Sequence, residues 1–460
     1  VGVQTAAAAA LSDLAKGDED MQDAIIADGG VTPLLALVRA GSPEAQEHAA
    51  RAIWALSSTV DNQDIIVENG SIPELVVLIR DGSTAAQEVG AAVISELAHG
   101  AADKFEKEKA LEKANNPDKK DGEKGEGEEA SFKTSKEPSR RASKDTMGAA
   151  PPIPQAPADA PAAAAPAGAP AAATPGEEEG EDGPVVVGRL AEIAAAGGIL
   201  PLVGLLTTGS PVGKEHAAQA LWYLSVDPDN HFAIAKAGAI APLVQLLDDG
   251  TEQANDYAAE ALKRLADSSS ENQAQIAKKL VGLLSGQSAT AHTRAANALW
   301  ELAANNEASP TVIVNAGAIS PLVTLLSSGA SEAKDAAKAA LQILALNNPS
   351  NQLAIATGLV ALLGQGSAEA QEHVTHLLLT LASDATNRVA ISKAGAIPRL
   401  ISQLQLGTST KAQELAAAVL SKLSGDSESN VQQIATAAGI KPLIKLLGSP
   451  SGQAQAHAAA

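Results

Sequence analysis

Cysteine is absent from this chain, and only eight of its 460 residues are aromatic. Without a thiol the chain has no cysteine nucleophile, no disulfide bond and no cysteine-bound zinc. An aromatic fraction of 2% also disfavours a core built on large rings. In their place the chain has a 45% apolar fraction made mostly of alanine and leucine. Small, strong helix formers in such excess predict closely packed helices.

The chain has fewer basic than acidic residues. It contains 33 lysines and arginines and 54 aspartates and glutamates, which gives a net charge of −21. Affinity for nucleic acid comes mostly from lysine and arginine on phosphates, so we expect no nucleic-acid partner. No apolar run approaches the ~20 residues that a membrane-spanning helix needs. No segment alternates apolar and polar residues in the manner of a strand. The expected chain is therefore all-helical, without a membrane span.

One unit recurs along the chain, and copies of it occupy residues 62–100, 230–267, 311–345 and 387–425. Each copy contains a short helix, a glycine, a proline-containing turn, a leucine-rich helix, a Gly-Ser or Gly-Thr pair and a longer alanine-rich helix. Two copies, 272–288 and 351–367, lack the Gly-Pro turn. We expect their first two helices to fuse or to lose a turn, with a local change of superhelical curvature.

The glycine after the first helix sets the length of the unit. It occurs at Gly29, Gly70, Gly197, Gly238, Gly317 and Gly395, with Ala438 in the same column. The intervals are 41, 127, 41, 79, 78 and 43 residues. The intervals of 79 and 78 each hold a shortened copy, and the interval of 127 holds one unit of 41 and 86 extra residues. The pattern predicts eight full or shortened units, a leading half unit and a truncated last unit.

The local chemistry of each unit agrees with this helical pattern. Gly238 is suited to the left-handed conformation that ends a helix, and Pro242 to the first turn of the next one. Thr251 is placed to cap the third helix by accepting a backbone N–H. A single unit has no means of burying its own leucine-rich stripe, so the units must stack.

A unit of this length, with the opening N…I..AGAI.PLV.LL and a third helix of the form AA.AL..L, resembles the armadillo repeat. The resemblance covers nearly the whole chain outside the extra residues. It implies an all-α, right-handed α-solenoid of about nine to ten repeats. It also implies that the third helices line a concave groove that binds extended peptides or partner proteins. The style of the units is similar to armadillo scaffolds of plants, protists and fungal vacuolar adaptors.

The extra residues divide the repeats into segments 1–101 and 183–460. Residues 104–113 (KFEKEKALEK) are placed to prolong the preceding helix through i,i+4 charge pairs. A charged, glycine-rich tract and a stretch of almost only proline and alanine follow, and such composition predicts disorder across 102–182. Within it, Arg140 and Arg141 precede Ser143 as in substrates of basophilic kinases, which predicts phosphorylation there. A chance match, and an insert that is a gene-model artefact, stay open.

The residues that could take part in catalysis do not form a known catalytic motif. His48, His216 and His373 share one column at the start of the third helix, which is a structural periodicity. His373 and His376 are spaced to share a metal, but no third ligand is positioned by the pattern. No nucleophile elbow or phosphate-binding loop is present. We expect no enzyme, no metal and no cofactor.

Three tryptophans share a single column of the third helix, at Trp54, Trp222 and Trp300. Other units place serine, lysine, glutamine or leucine there, which favours an exposed surface and a role in binding partners. The alternative is that each ring covers the neighbouring helix. The predicted partner-binding residues are Trp54, Ser58, Ser95, Trp222, Val226, Lys263, Trp300, Ala304 and Gln342.

The column also separates this chain from importin alpha, the nuclear-import branch of the family. There, each such tryptophan is followed four residues later by an asparagine, whereas this chain has Ser58, Val226 and Ala304. The prediction is a non-catalytic scaffold for proteins or extended peptides, including basic ones. The alternatives are the recognition part of a ubiquitin ligase or kinase-type protein, and a nuclear transport adaptor. The start at Val1 predicts a longer chain, and we expect a cytoplasmic location, with the nucleus or a membrane anchor as further options.

Overall fold

A computed structural model describes residues 2–115, 185–305, 308–346, 348–406, 409–425 and 427–459. Within these ranges the regular structure consists of 26 α-helices and no strand, which confirms the all-α prediction. The first compact unit comprises Val1–Ala110 and Val186–Ala460, and the second comprises Leu111–Val185. The described part of the second unit is the end of one helix and Val185.

The helices repeat in groups of three. The leading helix is α1 (Gly2–Ala15). The three-helix groups are α2 (Glu19–Ala27), α3 (Val31–Ala40) and α4 (Pro43–Leu56); α5 (Val60–Glu68), α6 (Ser71–Asp81) and α7 (Thr84–Asn115); α8 (Val185–Ala195), α9 (Ile199–Thr208) and α10 (Pro211–Leu224); α11 (Asp229–Lys236), α12 (Ile240–Asp249) and α13 (Glu252–Ser268); α16 (Ser309–Asn315), α17 (Ile319–Ser328) and α18 (Ser331–Ala345); α21 (Ala385–Lys393), α22 (Ala396–Leu406) and α23 (Thr410–Ser424); α24 (Glu428–Thr436), α25 (Ile440–Leu446) and α26 (Gly452–Ala459).

Two groups contain only two helices, and they are the copies that lack the Gly-Pro turn. They comprise α14 (Ser270–Leu284) with α15 (Ala289–Asn305), and α19 (Pro349–Leu362) with α20 (Ala368–Leu381). The prediction that the first two helices fuse is therefore confirmed. Without a glycine in the left-handed conformation and a proline behind it, nothing interrupts the backbone hydrogen bonds of α14 and α19.

The glycine column marks the corner between the first and second helices. Gly29, Gly70, Gly197, Gly238, Gly317 and Gly395 all have φ between +77° and +89°. Ala438 takes the same corner with φ of 61°, and it is the one non-glycine residue with positive φ among those described. Its side chain opposes this conformation, which costs an L-residue roughly 1–2 kcal/mol.

A hydroxyl cap begins α13 at Thr251, as predicted, and other third helices as well, whereas α18 begins at Ala330 without one. Ser42, Ser210, Thr251 and Ser367 each accept a hydrogen bond from the backbone N–H three residues later. The Thr251 hydroxyl also donates to Glu215 Oε2 of the preceding third helix, at 2.7 Å. Ser451 donates in the same way to Glu414 Oε2, at 3.1 Å. The cap therefore also links one unit to the next.

Side-chain amides close the opposite ends of the third helices. Asn351 Nδ2 donates to the carbonyl of Leu344 at 2.8 Å, and Gln352 Nε2 donates to that of Ala345 at 3.0 Å. Asn230, Asn272 and Asn430 repeat the first bond in other units. These carbonyls lie in the last turn of a helix, where backbone N–H donors are lacking, and the carbonyl of Leu265 also accepts from Ser268 Oγ. The asparagine in the repeat pattern therefore joins the first helix to the end of the third helix before it.

The core is one continuous cluster of leucine, isoleucine, valine and alanine that extends from Ala8 to Ala454 within the first compact unit. Alanines of the third helices, such as Ala49, Ala217 and Ala258, are fully buried. Their small side chains allow the closest approach between neighbouring third helices. The close packing of neighbouring third helices therefore explains why the chain contains so much alanine.

Helix α7 continues through the predicted extension 104–113 and ends at Asn115. The predicted disordered segment 102–182 is therefore wrong for residues 102–115, because alternating lysine and glutamate favour helix there. The remaining boundaries stay predictions. Ser143 and most of the insert lie outside the described residues.

No single helix in the described part of the chain is long and apolar enough to cross a membrane. In three places two consecutive helices with a sharp bend between them are together long and apolar enough to do so, by length and composition only.

Replacing Ala438 with glycine should stabilise the last three-helix group by roughly 1 kcal/mol, because glycine adopts positive φ without steric cost. Amide hydrogen exchange in α24 and thermal denaturation measure the effect. The matched control is Ala435→Gly, at an exposed helical position of the same group, which should destabilise by about the same amount. A destabilised Ala438→Gly protein would contradict the strain assigned to this corner.

Replacing Asn351 with alanine should cost about 1–3 kcal/mol in the free energy of unfolding, because the carbonyl of Leu344 loses its buried donor. Urea denaturation provides the measurement. Gln365→Ala is the control, since this exposed amide donates only to Ala361 within its own turn and should change stability by less than about 0.5 kcal/mol. Equal effects of the two substitutions would refute the role of the asparagine.

Candidate protein-binding surface

The third helices pack side by side, as α10 does on α13, α15 on α18 and α20 on α23. This arrangement brings the same column of successive units into line. We call the solvent-facing side of α4, α7, α10, α13, α15 and α18 the third-helix surface. It contains the residues of the tryptophan column from Trp54 to Gln342 except Ser95, which is buried.

The structure places the nine predicted partner-binding residues at different depths. Ser58, Trp300 and Ala304 are exposed, and Trp54, Trp222, Lys263 and Gln342 are half-buried. Ser95 and Val226 are 2% and 7% exposed. These two predictions are therefore corrected, since a partner has no access to either side chain. Ser95 lies in the middle of the long helix α7, and Val226 lies just beyond the end of α10, where the chain turns into the next unit.

Trp222 stands in a stack of rings. Its ring centroid is 4.5 Å from that of Tyr223 and 5.5 Å from that of Tyr257, with interplanar angles of 29° and 23°. The Tyr223 ring also lies 4.8 Å from His99 of α7. We call Trp222, Tyr223, Tyr257 and His99 the aromatic cluster. It joins three consecutive third helices, α7, α10 and α13.

Trp54 meets a different ring. Its centroid lies 5.5 Å from that of His216, at an interplanar angle of 78°. The two residues belong to α4 and α10, so the contact spans α7 between them. The side chain of Gln219, one turn after His216, donates to the hydroxyl of Tyr257 at 3.2 Å. Trp54 therefore packs beside the aromatic cluster, whereas Trp300 is 36% exposed.

Carboxylates surround these rings. Burial raises the pKa of Tyr223, with further contributions from Tyr257, Glu96 and Asp103. Burial likewise raises the pKa of Tyr257, and Glu215 and Asp256 add to the shift. Burial is the main cause of both shifts, and the nearby carboxylates add to it because negative charge opposes ionisation of a phenol.

Two carboxyls on the same surface also have raised pKa values. Burial and then Glu252 raise the pKa of Asp256, against an opposing effect of Arg294. Burial also raises the pKa of Glu301, with Lys263 opposing the shift. Glu260 raises both pKa values. A cation brought close to these groups would favour their charged forms and be attracted in return.

The histidines of the column have different surroundings, and His216 packs against Trp54. Burial lowers the pKa of His216 to about 4, although the hydrogen bond with Gln219 acts in the opposite direction. His373 lies 3.7 Å from Asp335 and 3.8 Å from Glu369. Among the described residues no group of three histidine, aspartate or glutamate side chains is arranged to hold a metal ion.

Sequence reasoning missed the tyrosines and His216 as neighbours of the tryptophan column. One signal was available, because Tyr257 occupies the column of His48, His216 and His373, six residues before the tryptophan column. A column shared by histidine and tyrosine indicates a ring at that position of the third helix. The contact between Trp54 and His216 had no such signal, since it joins units that are not adjacent.

Comparison with known proteins places the repeat in a family. Residues 18–58, which hold α2, α3 and α4, match the model of the armadillo/beta-catenin-like repeat. No curated protein matches the chain. The crystal structure of an engineered protein is similar over 100% of this chain and 94% of its own, with 25% identity and a TM-score of 0.49. A second engineered protein is similar over 48% of this chain and 95% of its own, with 26% identity and a TM-score of 0.36.

Lowering the pH from 6.5 to 4 should destabilise the protein through His216. Its pKa is lower in the folded state than in the unfolded chain, so the unfolded state binds the proton first. In His216→Gln this loss should be smaller by about 1–2 kcal/mol, after allowance for partial solvation. Urea denaturation across this pH range measures it.

The matched control is His48→Gln, a substitution in the same column on α4. It makes the same change of side chain in another unit, and so separates a general effect of replacing a histidine from the effect of His216. If the stability of His216→Gln depends on pH in the same way as that of the original protein, the assignment of His216 as a neutral, buried side chain is refuted.

Proposed function

Because this chain is an armadillo-type repeat protein, we propose that it is a non-catalytic interaction scaffold that binds protein segments along the third-helix surface. The observation that carries the proposal is the aromatic cluster bordered by carboxylates. Half-exposed aromatic rings supply contact area at a low entropic cost, and they are enriched among the residues that dominate binding energies. The cluster lies on three neighbouring helices, so an extended segment that lies across them contacts more than one unit.

The charge of this surface favours a segment rich in lysine or arginine. Burial is the main cause of the raised pKa values of Asp256 and Glu301, and the negative charge of Glu260 adds to both. A lysine or arginine side chain next to these carboxyls favours their charged forms, and its cation interacts favourably with the face of the exposed Trp300. The net charge of −21 adds long-range attraction for the same partners.

A nuclear-signal carrier is less well supported. The residues four positions after the tryptophans are Ser58, Val226 and Ala304, and Val226 is buried. None of these three residues has a side-chain amide, the group that would form hydrogen bonds with the backbone of a bound peptide. The proposal is therefore limited to segments recognised by charge and by contact with aromatic rings.

The double variant Asp256→Asn/Glu301→Gln should weaken binding of a short lysine- and arginine-rich peptide roughly tenfold, because each substitution removes a negative charge at the surface. Fluorescence anisotropy with a labelled peptide at low salt measures the change. Addition of salt should weaken binding to the original protein more than to the variant.

The control for charge is Glu68→Gln on the first helix α5, which is exposed and lies outside the third-helix surface. Trp300→Ala in the same assay isolates the contribution of the ring, and a thermal melt of each protein monitors the fold. Binding that survives in Trp300→Ala while the protein melts early would assign Trp300 to packing. Equal binding of a peptide with glutamate in place of lysine and arginine would contradict the proposal.

A further inference from the structure

The charge near the third helices changes between α15 and α20. At α13 and α15 the negative charge of Glu260 adds to burial in raising the pKa values of Asp256 and Glu301. At α20 burial lowers the pKa of His376, and nearby positive charge, first that of Lys338, adds to the shift. A partner that extends from α13 to α20 therefore meets two regions of different charge.

Three side chains on α18 and α20 mark the second region. Lys338 and Gln342 are four residues apart on α18, so they lie on the same face of the helix. Gln342 belongs to the tryptophan column, and His376 lies on α20, three residues before the leucine of that column. Lys338 and Gln342 are half-buried, and His376 is exposed. We call these three residues the donor patch, because each side chain has at least one N–H group to donate.

The carboxylates of α20 and α23, and Asp335 of α18, already have partners within the protein. These contacts are Lys334 Nζ at 2.7 Å from Glu369 Oε2, Lys411 Nζ at 2.8 Å from Glu414 Oε1, His373 at 3.7 Å from Asp335, and the Ser409 hydroxyl on Glu372. Among the described residues, by contrast, no hydrogen bond or ion pair involves the side chain of Lys338, Gln342 or His376. A carboxylate from another molecule therefore finds a cation and two polar donors that are not engaged elsewhere.

The packing of the third helices sets the distance between the two regions. Helix α15 packs on α18, and α18 packs on α20. The axes of packed helices lie about 8–10 Å apart, and an extended chain advances about 3.3–3.6 Å per residue. A segment that lies across these helices therefore passes from Glu301 to Lys338 in roughly three residues and to His376 in roughly five or six.

We propose that the donor patch binds acidic side chains of the same extended segment whose lysines and arginines lie on α13 and α15. The inference rests on the proposed function, because it describes the next part of the segment assigned to the third-helix surface. The partner is then a segment whose basic block and acidic block are separated by roughly three to six residues. Lys338 pairs with a carboxylate of the acidic block, and Gln342 and His376 donate hydrogen bonds to that block.

The donor patch also selects against segments that are basic along their whole length. Such a segment places a lysine or arginine next to Lys338, and like charges brought together at an interface oppose binding. An acidic block on α13 and α15 meets the same penalty from Asp256 and Glu301. The change of charge along the surface therefore restricts the position of the segment as well as its composition.

Labelled peptides test the donor patch against the net charge of the protein. Each carries one block of lysine and arginine, four uncharged residues and then either two glutamates or two glutamines, and a second set has the reverse order. Because the chain has a net charge of −21, long-range repulsion alone predicts weaker binding of the glutamate peptide. The donor patch predicts the opposite, a Kd about three- to fivefold lower for the glutamate peptide in at least one order. Fluorescence anisotropy with the full chain at pH 7 and low salt measures the ratio.

Lys338→Gln should remove the advantage of the glutamate peptide and leave binding of the glutamine peptide unchanged or slightly tighter. The matched control is Lys393→Gln, which makes the same charge change at an exposed position at the end of the first helix α21 and should keep the advantage. A thermal melt of each variant monitors the fold.

Equal or weaker binding of the glutamate peptide in both orders would overturn the donor patch and leave the proposed function intact. An equal loss of the advantage in Lys338→Gln and Lys393→Gln would also overturn it, because the effect then belongs to the charge of the whole chain. If the glutamine peptide does not bind at all, the proposed function fails. The glutamate peptide then decides the donor patch by itself, which stands only if that peptide binds and Lys338→Gln abolishes the binding.

Discussion

A helix end leaves backbone carbonyls without partners, and in this solenoid the next unit supplies the missing donors. Asn351 does so for α18, and Asn430 does so for α23. The Thr251 and Ser451 hydroxyls add bonds to the third helix before them. Each unit therefore depends on its neighbour for its polar groups as well as for its apolar face. This dependence sets the register in which the units stack.

The register decides where function is located. Because the third helices align, one residue of each unit reaches the same surface, and three of these residues are tryptophans. The surface is not uniform along the chain. It has a ring cluster and surplus carboxylates between α7 and α15, and α7 has a long extension beside that cluster. A repeated architecture thus presents one distinctive region, which is the part proposed to meet a partner.

Much of the fold was predictable because it depends on local geometry. The glycine column predicts each corner, and Ala438 confirms that the corner demands positive φ even without glycine. The missing Gly-Pro turn predicts the fused helices α14 and α19. The site was predicted less well. Ser95 and Val226 occupy repeat positions that are exposed in other units, yet both are buried.

The sequence by itself determined the helical class, the unit length, the corners, the caps and the column in which the tryptophans stand, because these follow from backbone conformation and helical period. Only the tertiary structure decided which rings touch, how deeply each is buried and which carboxylates share one field. Trp54 meets His216 from two units away, and Glu106 meets Arg264 across 158 positions of the chain. Such pairs depend on the accumulated stacking of several units, which no single repeat encodes.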